Sequence, residues 1–197
     1  MNVSRETEDL LRGYADLIRK WNPSINLVAP ATLPDLEFRH ITDSAQIYDL
    51  AQPSQGSWLD IGSGGGLPGI VLAIQSRHTP LQVTLVESDK RKSAFLATAR
   101  RELNLPNLTI KPQRIEALAE GQYDFISARA LAALDKLMPD LYRQLASHGE
   151  AWLLKGRSWD AEVADARKQW RFELETFQSK TDPQAAILKL RKIKPND

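Results

Sequence analysis

The chain of 197 residues contains no cysteine. That excludes disulfides, thiolate metal ligands and a cysteine nucleophile, including the thiolate addition that prepares a pyrimidine for C5 methylation. Histidine is almost as scarce. His40, His78 and His148 stand far apart and supply no ligand set, so no metal is expected. No apolar run approaches membrane-spanning length, and the start (Met1-Asn2-Val3-Ser4-Arg5-Glu6) has no apolar signal core, so a soluble cytoplasmic protein is expected. An excess of one charge sign is also missing, with 26 Lys and Arg against 25 Asp and Glu. A nucleic-acid partner must therefore be argued from local basic clusters and not from the total. There is no internal repeat and no low-complexity segment.

What is present suits a globular domain: 42% hydrophobic and 26% charged residues, in a chain long enough to bury a core unaided. The rest is organised around Trp58-Leu59-Asp60-Ile61-Gly62-Ser63-Gly64-Gly65-Gly66-Leu67-Pro68-Gly69-Ile70. An apolar strand enters a glycine-rich turn, and a helix leaves it. Gly62, Gly64 and Gly66 can take positive φ and let a ligand lie against bare backbone. The following helix points free N–H groups and its positive end at that ligand.

Before this stretch the pattern is helical. Leu10, Leu11, Tyr14, Leu17, Ile18 and Trp21 recur at helical spacing over residues 4–21, behind Ser4 as a cap, and Trp21-Asn22-Pro23 ends the helix. A second helix is expected from about residue 34 to 50, and Gln52-Pro53-Ser54-Gln55-Gly56 is a turn-rich connector. Residues 1–55 therefore read as a helical extension before a main domain of residues 56–197, the two making one structural unit.

After it, strands and helices alternate. Strands are expected at 57–61, 81–87, 108–111, 123–127 and 150–154, and Ser88 or Asp89 caps the helix after the second. Leu134, Leu137, Met138, Leu141 and Leu145 form a buried helical stripe, which requires Pro139 near that helix's first turn. A polar helix at about 158–170 precedes a terminal antiparallel pair, 172–177 and 186–190. Strands separated by helices imply a parallel sheet covered on both faces.

Two ligands compete for the turn. Gly64-Gly65-Gly66-Leu67-Pro68-Gly69 fits the dinucleotide pattern G-x-G-x-x-G in isolation. Counted from Gly62, the first glycine after the strand, the pattern is G-x-G-x-G, and Leu67 stands where the third dinucleotide glycine belongs. Asp60 stands near the end of strand 1, and Glu87 ends strand 2 where a ribose-binding carboxylate belongs. An acid beside the turn disfavours a pyrophosphate and suits S-adenosyl-L-methionine, which carries an ammonium and a sulfonium. Each acid has a plainer role available, Glu87 as a helix-cap acid and Asp60 as a brace for the turn. Together they place a methyltransferase ahead of a dehydrogenase.

Here the sequence resembles the bacterial 16S ribosomal RNA guanine-N7 methyltransferases, the RsmG (GidB) family. The resemblance lies in Lys20-Trp21-Asn22 with Asn26-Leu27, in Arg39-His40-Ile41-Thr42-Asp43-Ser44, in the glycine turn through Leu-Pro-Gly-Ile, in Glu87-Ser88-Asp89-Lys90-Arg91-Lys92, in Ser127-Ala128-Arg129-Ala130 and in Leu154-Lys155-Gly156. Ser63 and Gly65 depart mildly from the family's turn, and the chain is slightly short at its C-terminus. The resemblance implies an α/β fold, the class I S-adenosylmethionine-dependent methyltransferase fold: a Rossmann-like, doubly wound, mostly parallel seven-stranded sheet. It implies cofactor contacts at Gly62, Leu67, Glu87, Ser88 and Asp89, an adenine-side pair at Ile115 and Glu116, and Arg129 facing the reaction. Asp60 and Gly64 join the cofactor set from the reading of the turn. The implied substrate is one guanine in a conserved loop of 16S rRNA, met as RNA or as a 30S precursor by a monomer.

The chemistry agrees. N7 attacks with a neutral lone pair, so no general base is needed and positioning can dominate. Ser127-Ala128-Arg129-Ala130-Leu131 stands where an exocyclic-amine methylase would show Asn/Asp-Pro-Pro-aromatic. Arg129 can donate to guanine O6 beside N7. Arg129 and Lys155, at the ends of strands 4 and 5, are the candidate catalytic residues. RNA contacts are expected among Lys90-Arg91-Lys92, Arg100-Arg101, Lys155 with Arg157, and Lys189, Arg191, Lys192 and Lys194, although such clusters are commonly solvated faces. His40 and Asp43 are read as covering the cofactor mouth or shaping the RNA site, with a buried structural role for His40 favoured over that of a base. The alternatives are the same fold acting on another RNA or a protein, and a non-enzymatic cofactor- or RNA-binding module.

Overall fold

Strand residues that alternate between two apolar faces need a cover on each side, and the helices supply it. A computed structural model describes residues 3–196. Met1, Asn2 and Asp197, the outermost residues of the two expected segments, lie outside the described residues. The elements are α1 (Arg5–Trp21), a 3-10 helix (Pro30–Asp35), a π-helical stretch (Glu37–Thr42) running into α2 (Asp43–Ala51), β1 (Ser57–Ile61), α3 (Gly69–Gln75), β2 (Gln82–Val86), α4 (Lys90–Glu102) and β3 (Leu108–Lys111). Then follow a 3-10 turn (Ile115–Ala117), β4 (Tyr123–Arg129), α5 (Leu134–Gln144), β5 (Leu145–Lys155), α6 (Trp159–Ala166), β6 (Trp170–Gln178) and β7 (Ala186–Pro195).

The seven strands lie in the order β3-β2-β1-β4-β5-β7-β6. β1 to β5 are parallel, and β7 runs antiparallel between β5 and β6. The order reverses between β1 and β4, which opens a crevice at the carboxyl ends of those strands. Trp58, Val83, Leu85, Trp152 and Leu154 face one core, shared with the buried residues of α1 to α4. Leu59, Ile61, Val86, Ala151 and Leu153 face the other, with α5 and α6. The N-terminal helices thus share their core with α3 and α4.

Two local expectations are corrected. The helix foreseen from about 34 to 50 is broken into three geometries. Pro34 sits inside a 3-10 helix, and a wide π turn carries Arg39 and His40 before α2 begins. Such turns recur at functional sites. Pro139 lies inside α5, one turn later than expected. Ala133 is extended, so the helix starts only at Leu134, and burial of Leu134, Leu137, Met138 and Leu141 fixes its phase. Pro139 falls on the exposed side, where water can take the carbonyl that its missing N–H leaves free.

Register places the last piece. Lys155 pairs with Ala186, and Gln178 pairs with the same residue. The turn of residues 179–185 therefore sits at the carboxyl edge of the parallel strands, beside the ends of β4 and β5.

Candidate active site

The glycine turn takes φ of +63° at Gly62, +56° at Gly64 and +87° at Gly66. The φ of Gly62 favours glycine, and a Cβ there would also push aside the exposed Leu131 side chain, whose Cδ1 would lie 2.3 Å away. The turn is braced on several sides. Gly66 N donates to Ser63 O at 2.7 Å. Gly64 N donates to Glu87 Oε2 at 2.7 Å. Tyr14 Oη, on the buried face of α1, donates to Gly65 O at 2.5 Å. Burial pushes the Tyr14 hydroxyl well above the usual tyrosine range, so it remains a donor. Asn22 Oδ1 accepts from Leu27 N and Val28 N at 2.8 and 2.9 Å. That bends the segment after α1 so that Leu27 lies against Gly65.

A cavity of about 330 Å³ opens over this turn, and Gly62, Gly64, Leu67, Glu87, Ser88 and Arg129 all line it. Glu87 is held by two backbone donors, Gly64 N on Oε2 and Asp89 N on Oε1, both at 2.7 Å. Each oxygen keeps a lone pair for a hydroxyl in the cavity. Leu27, Lys92 and Leu131 line the cavity as well. Nothing in the sequence marks Leu27 and Leu131 as site residues, and the helical spacing of Tyr14 points only to the core. A buried tyrosine needs a partner for its hydroxyl, and that was the signal available.

Four predicted residues lie elsewhere. Asp60 is 1% exposed, beneath the turn. Its Oδ1 accepts from Ser127 Oγ at 2.7 Å, and Ser127 Oγ accepts from Trp58 Nε1 at 2.9 Å. Burial pushes the Asp60 carboxyl up to about 6, against the opposing pull of the Ser127 hydroxyl. Its Oδ2 is buried without a hydrogen-bond partner. Asp89 is the N-cap of α4 and accepts from Arg91 N and Lys92 N at 2.8 and 3.2 Å. Ile115 and Glu116 form a single 3-10 turn whose carbonyls are held by Arg143 of α5, outside the cavity lining.

Arg129 is the junction of the site. Its side chain is 17% exposed, and Nη2 donates to His40 Nδ1 at 2.9 Å while Nη1 lies 3.6 Å from Asp43 Oδ2. His40 Nε2 faces Thr32 Oγ1 at 2.7 Å, and Thr32 Oγ1 donates to Ala29 O at the same distance. One tautomer satisfies this chain: Nε2 carries the proton and Nδ1 accepts from arginine. Burial, with the Arg129 charge behind it, lowers the His40 pKa to about 4, so the ring stays neutral. Both nitrogens are engaged, so His40 serves as a positioning residue. Asp43 is fixed in turn from the β6–β7 side, where Thr181 Oγ1 donates to its Oδ1 at 2.7 Å.

Lys155 is 8% exposed and committed. Nζ donates to Ala132 O at 2.6 Å and pairs with Glu162 Oε2 at 2.8 Å. It ties the β4–α5 loop to α6. The C-terminal basic cluster is likewise engaged: Lys189 pairs with Glu150 at 2.8 Å, Arg191 with Glu175 at 3.0 Å and Lys192 with Glu173 at 2.7 Å. No group of metal-ligating residues exists among the described residues.

The bare glycine backbone, the clamped carboxylate at the end of β2 and the acid beneath the turn fit S-adenosylmethionine, whose ribose is a diol and whose methionine end is cationic. The fold is that of the class I S-adenosylmethionine-dependent methyltransferases. A methyltransferase from Aquifex aeolicus matches at a TM-score of 0.61, covering 89% of this chain and 96% of that one, at 13% identity. A mutant of MtNAS solved in complex with S-adenosylmethionine matches at 0.64 over 93% of this chain and 72% of that one, at 15% identity. The family model for GidB, rRNA small subunit methyltransferase G, matches residues 7–187. The ribosomal RNA small subunit methyltransferase G of Paracoccus denitrificans (strain Pd 1222) is 54% identical over 190 residues, covering 96% of this chain and 97% of the relative. The chain belongs to the rRNA small subunit methyltransferase G family. It is an S-adenosylmethionine-dependent rRNA methyltransferase, and among the described residues no helix is long and apolar enough to cross a membrane.

Proposed function

We propose that this protein methylates N7 of one guanine in 16S rRNA, presented as RNA or in the small subunit, and acts as a cytoplasmic monomer. The observation that carries the reading is the placement of Arg129. It stands in the wall between the cavity over the glycine turn and a second cavity at the ends of β4 and β5. When bound, S-adenosylmethionine would supply an electrophilic methyl to the neutral N7 lone pair, a transfer that needs no proton removed.

The protein's part is then to hold and orient. Glu87 and Ser88 take the ribose end, and Gly62, Gly64 and Leu67 bound the cofactor's path over the turn. Asp60 acts from below, holding the turn and α3 in place through its field and its bond to Ser127. Arg129 donates to guanine O6 beside the reacting nitrogen, the most frequent specific contact to that base. With one donor bonded to His40 and the charge paired with Asp43, the guanidinium enters the reaction with little reorganisation. Lys155 supports the Ala130–Ala133 loop. Residues 1–55 serve as part of the site, since Tyr14, Leu27, His40 and Asp43 all come from them.

The test is a map of N7-methylguanine in small-subunit rRNA from cells with and without this gene. One signal should vanish in the deletion strain and return with the wild-type chain but not with Arg129→Ala. An unchanged map refutes the reading.

A further inference from the structure

We propose that the second cavity is the acceptor-base pocket, that it takes a flipped-out guanine, and that Asp182 reads the edge of the base opposite N7. This rests on the function proposed above and adds the place and the reader of the base. The cavity has a volume of about 430 Å³, within the range of roughly 300–1,000 Å³ typical of ligand pockets. Its floor is the end of β5, where Lys155 and Glu162 are paired. The 179–185 turn lines it too, through Ser179, Thr181 and Asp182, with Thr181 bonded to Asp43.

The two cavities share one wall, made of Arg129, Ala130 and Leu131. Ala130 takes φ of +49° there, a conformation that non-glycine residues seldom adopt and that turns the chain sharply after β4. A methyl group passing from the first cavity to a base in the second must cross at this wall. The reacting N7, with O6 beside it, therefore faces Arg129. That places the N1–H and N2–H₂ donors on the far side of the base, where an acceptor is required. Asp182 lines the cavity and supplies one. Its Oδ1 caps Gln184 N at 2.9 Å, and its Oδ2 has no partner among the described residues.

The same arrangement rejects adenine at both edges. Adenine would put its N6 amino donor against the guanidinium and its N1 lone pair against a carboxylate. A nucleic acid is also the occupant that the rim favours. Arg39 lines the cavity, Arg157 follows the lining residue Gly156, and Lys180 lies between the lining residues Ser179 and Thr181. All three are exposed cations whose side chains make no ion pair or hydrogen bond among the described residues, as phosphate contacts require. A base inside and cations around the mouth match a nucleotide extruded from its stack.

The experiment compares methyl transfer to small-subunit rRNA carrying guanosine or inosine at the mapped position. Inosine keeps N7 and O6 but lacks the N2 amino group. Wild type should use inosine roughly ten- to hundred-fold less well in kcat/KM, the span expected for one base-edge contact. Asp182→Ala should fall by a similar factor on guanosine and lose most of the guanosine–inosine gap, while its Kd for S-adenosylmethionine stays at the wild-type value. Asp182→Asn, which retains one acceptor oxygen, should lie between. A purely structural loss through the Gln184 cap lowers both substrates together and leaves the gap intact, which overturns the proposal, as does wild-type activity of Asp182→Ala on guanosine. If the wild-type chain methylates no rRNA guanine at N7, it is the function itself that fails.

Discussion

Arg129 and His40 stand 89 residues apart in the chain and are joined at 2.9 Å through Nη2 and Nδ1. This bond joins the N-terminal helical segment to the end of β4 and sets the direction of the one arginine between the two cavities. Arg129→Lys keeps the charge but loses the planar fork that can serve His40, Asp43 and a base at once. The expected result is a fall in kcat of about 10²–10³, the loss typical of one preorganised donor, with cofactor affinity changed far less. Single-turnover methylation beside a cofactor titration separates the two. A variant at wild-type rate shows that Arg129 does not act on the acceptor.

Tyr14→Phe removes one oxygen and leaves the buried Gly65 carbonyl unpaired. The stability cost should be about 1–3 kcal/mol, because an orphaned buried acceptor loses more than the net worth of its bond. The turn slackens with it, so Kd for S-adenosylmethionine should rise several-fold. Urea unfolding and calorimetric titration read the two effects. Unchanged stability means that the bond is of no consequence.

Gly69→Ala tests how closely α3 sits on the turn. The added Cβ would lie 2.2 Å from Leu85 Cδ2 and 2.8 Å from Asp60 Oδ2, both buried. Overpacking of this kind costs about 1–3 kcal/mol. Thermal unfolding should show it, and cofactor binding should weaken because α3 follows directly on the turn. A neutral substitution would mean that Asp60 and α3 can move apart freely.

Acid should act through two groups of opposite sign. His40 takes its proton in the folded state only near pH 4, whereas unfolded histidine takes it near about 6.5. Between those values the unfolded chain binds more protons, so this contribution to stability declines as pH falls from about 6.5 to about 4 and is flat below. Asp60 is raised to about 6, against about 3.9 unfolded. Its contribution is full below about 3.9 and is lost as pH rises through about 6. Urea midpoints across this range should show wild type losing stability relative to His40→Gln on acidification. Relative to Asp60→Asn, wild type should lose it on alkalinisation. Parallel curves for variant and wild type would contradict these protonation states.

Lys155 and Lys92 are both lysines near the site, yet they should behave differently. Lys155→Met breaks a largely buried pair and leaves Glu162 with only Leu134 N and Ser158 Oγ as donors. Stability should drop while the salt dependence of RNA binding stays the same. Lys92→Gln, at the cavity mouth beside exposed Lys90 and Arg91, should leave stability intact. It should reduce the slope of log K against log salt by about 0.7–0.9 if one phosphate contact is lost. Wild-type slopes for both variants would show that neither lysine meets RNA.

Much of this was legible in the residues alone. The order of strands and helices, the antiparallel terminal pair and the glycine turn follow from periodicity and from residues with special φ, and these are local properties. The register from Gly62 and the acids Asp60 and Glu87 already pointed to the methyl donor. Arg129 was legible through the family resemblance, which puts an arginine after strand 4, facing the reaction.

What the sequence could not determine is which side chains are already engaged. Lys155 reads as a free cation at a strand end, and Asp89 both as a helix cap and as a cofactor contact. In the fold one is bound to Glu162 and the Ala132 carbonyl, and the other caps α4. Tyr14 read as core, but its hydroxyl supports the turn. Asp60 read as a ligand contact and lies buried beneath it. Asp89 has local partners, Arg91 N and Lys92 N, but Tyr14 and Asp60 depend on Gly65 and Ser127, 51 and 67 residues away, which the 3-2-1-4-5-7-6 strand order brings close. The spacing of the glycines and the two acids favoured a methyl donor over a dinucleotide, and the family resemblance carried the rest. Only the tertiary structure decided which residues hold the site together and which remain free to meet the RNA, because that depends on long-range pairing and burial.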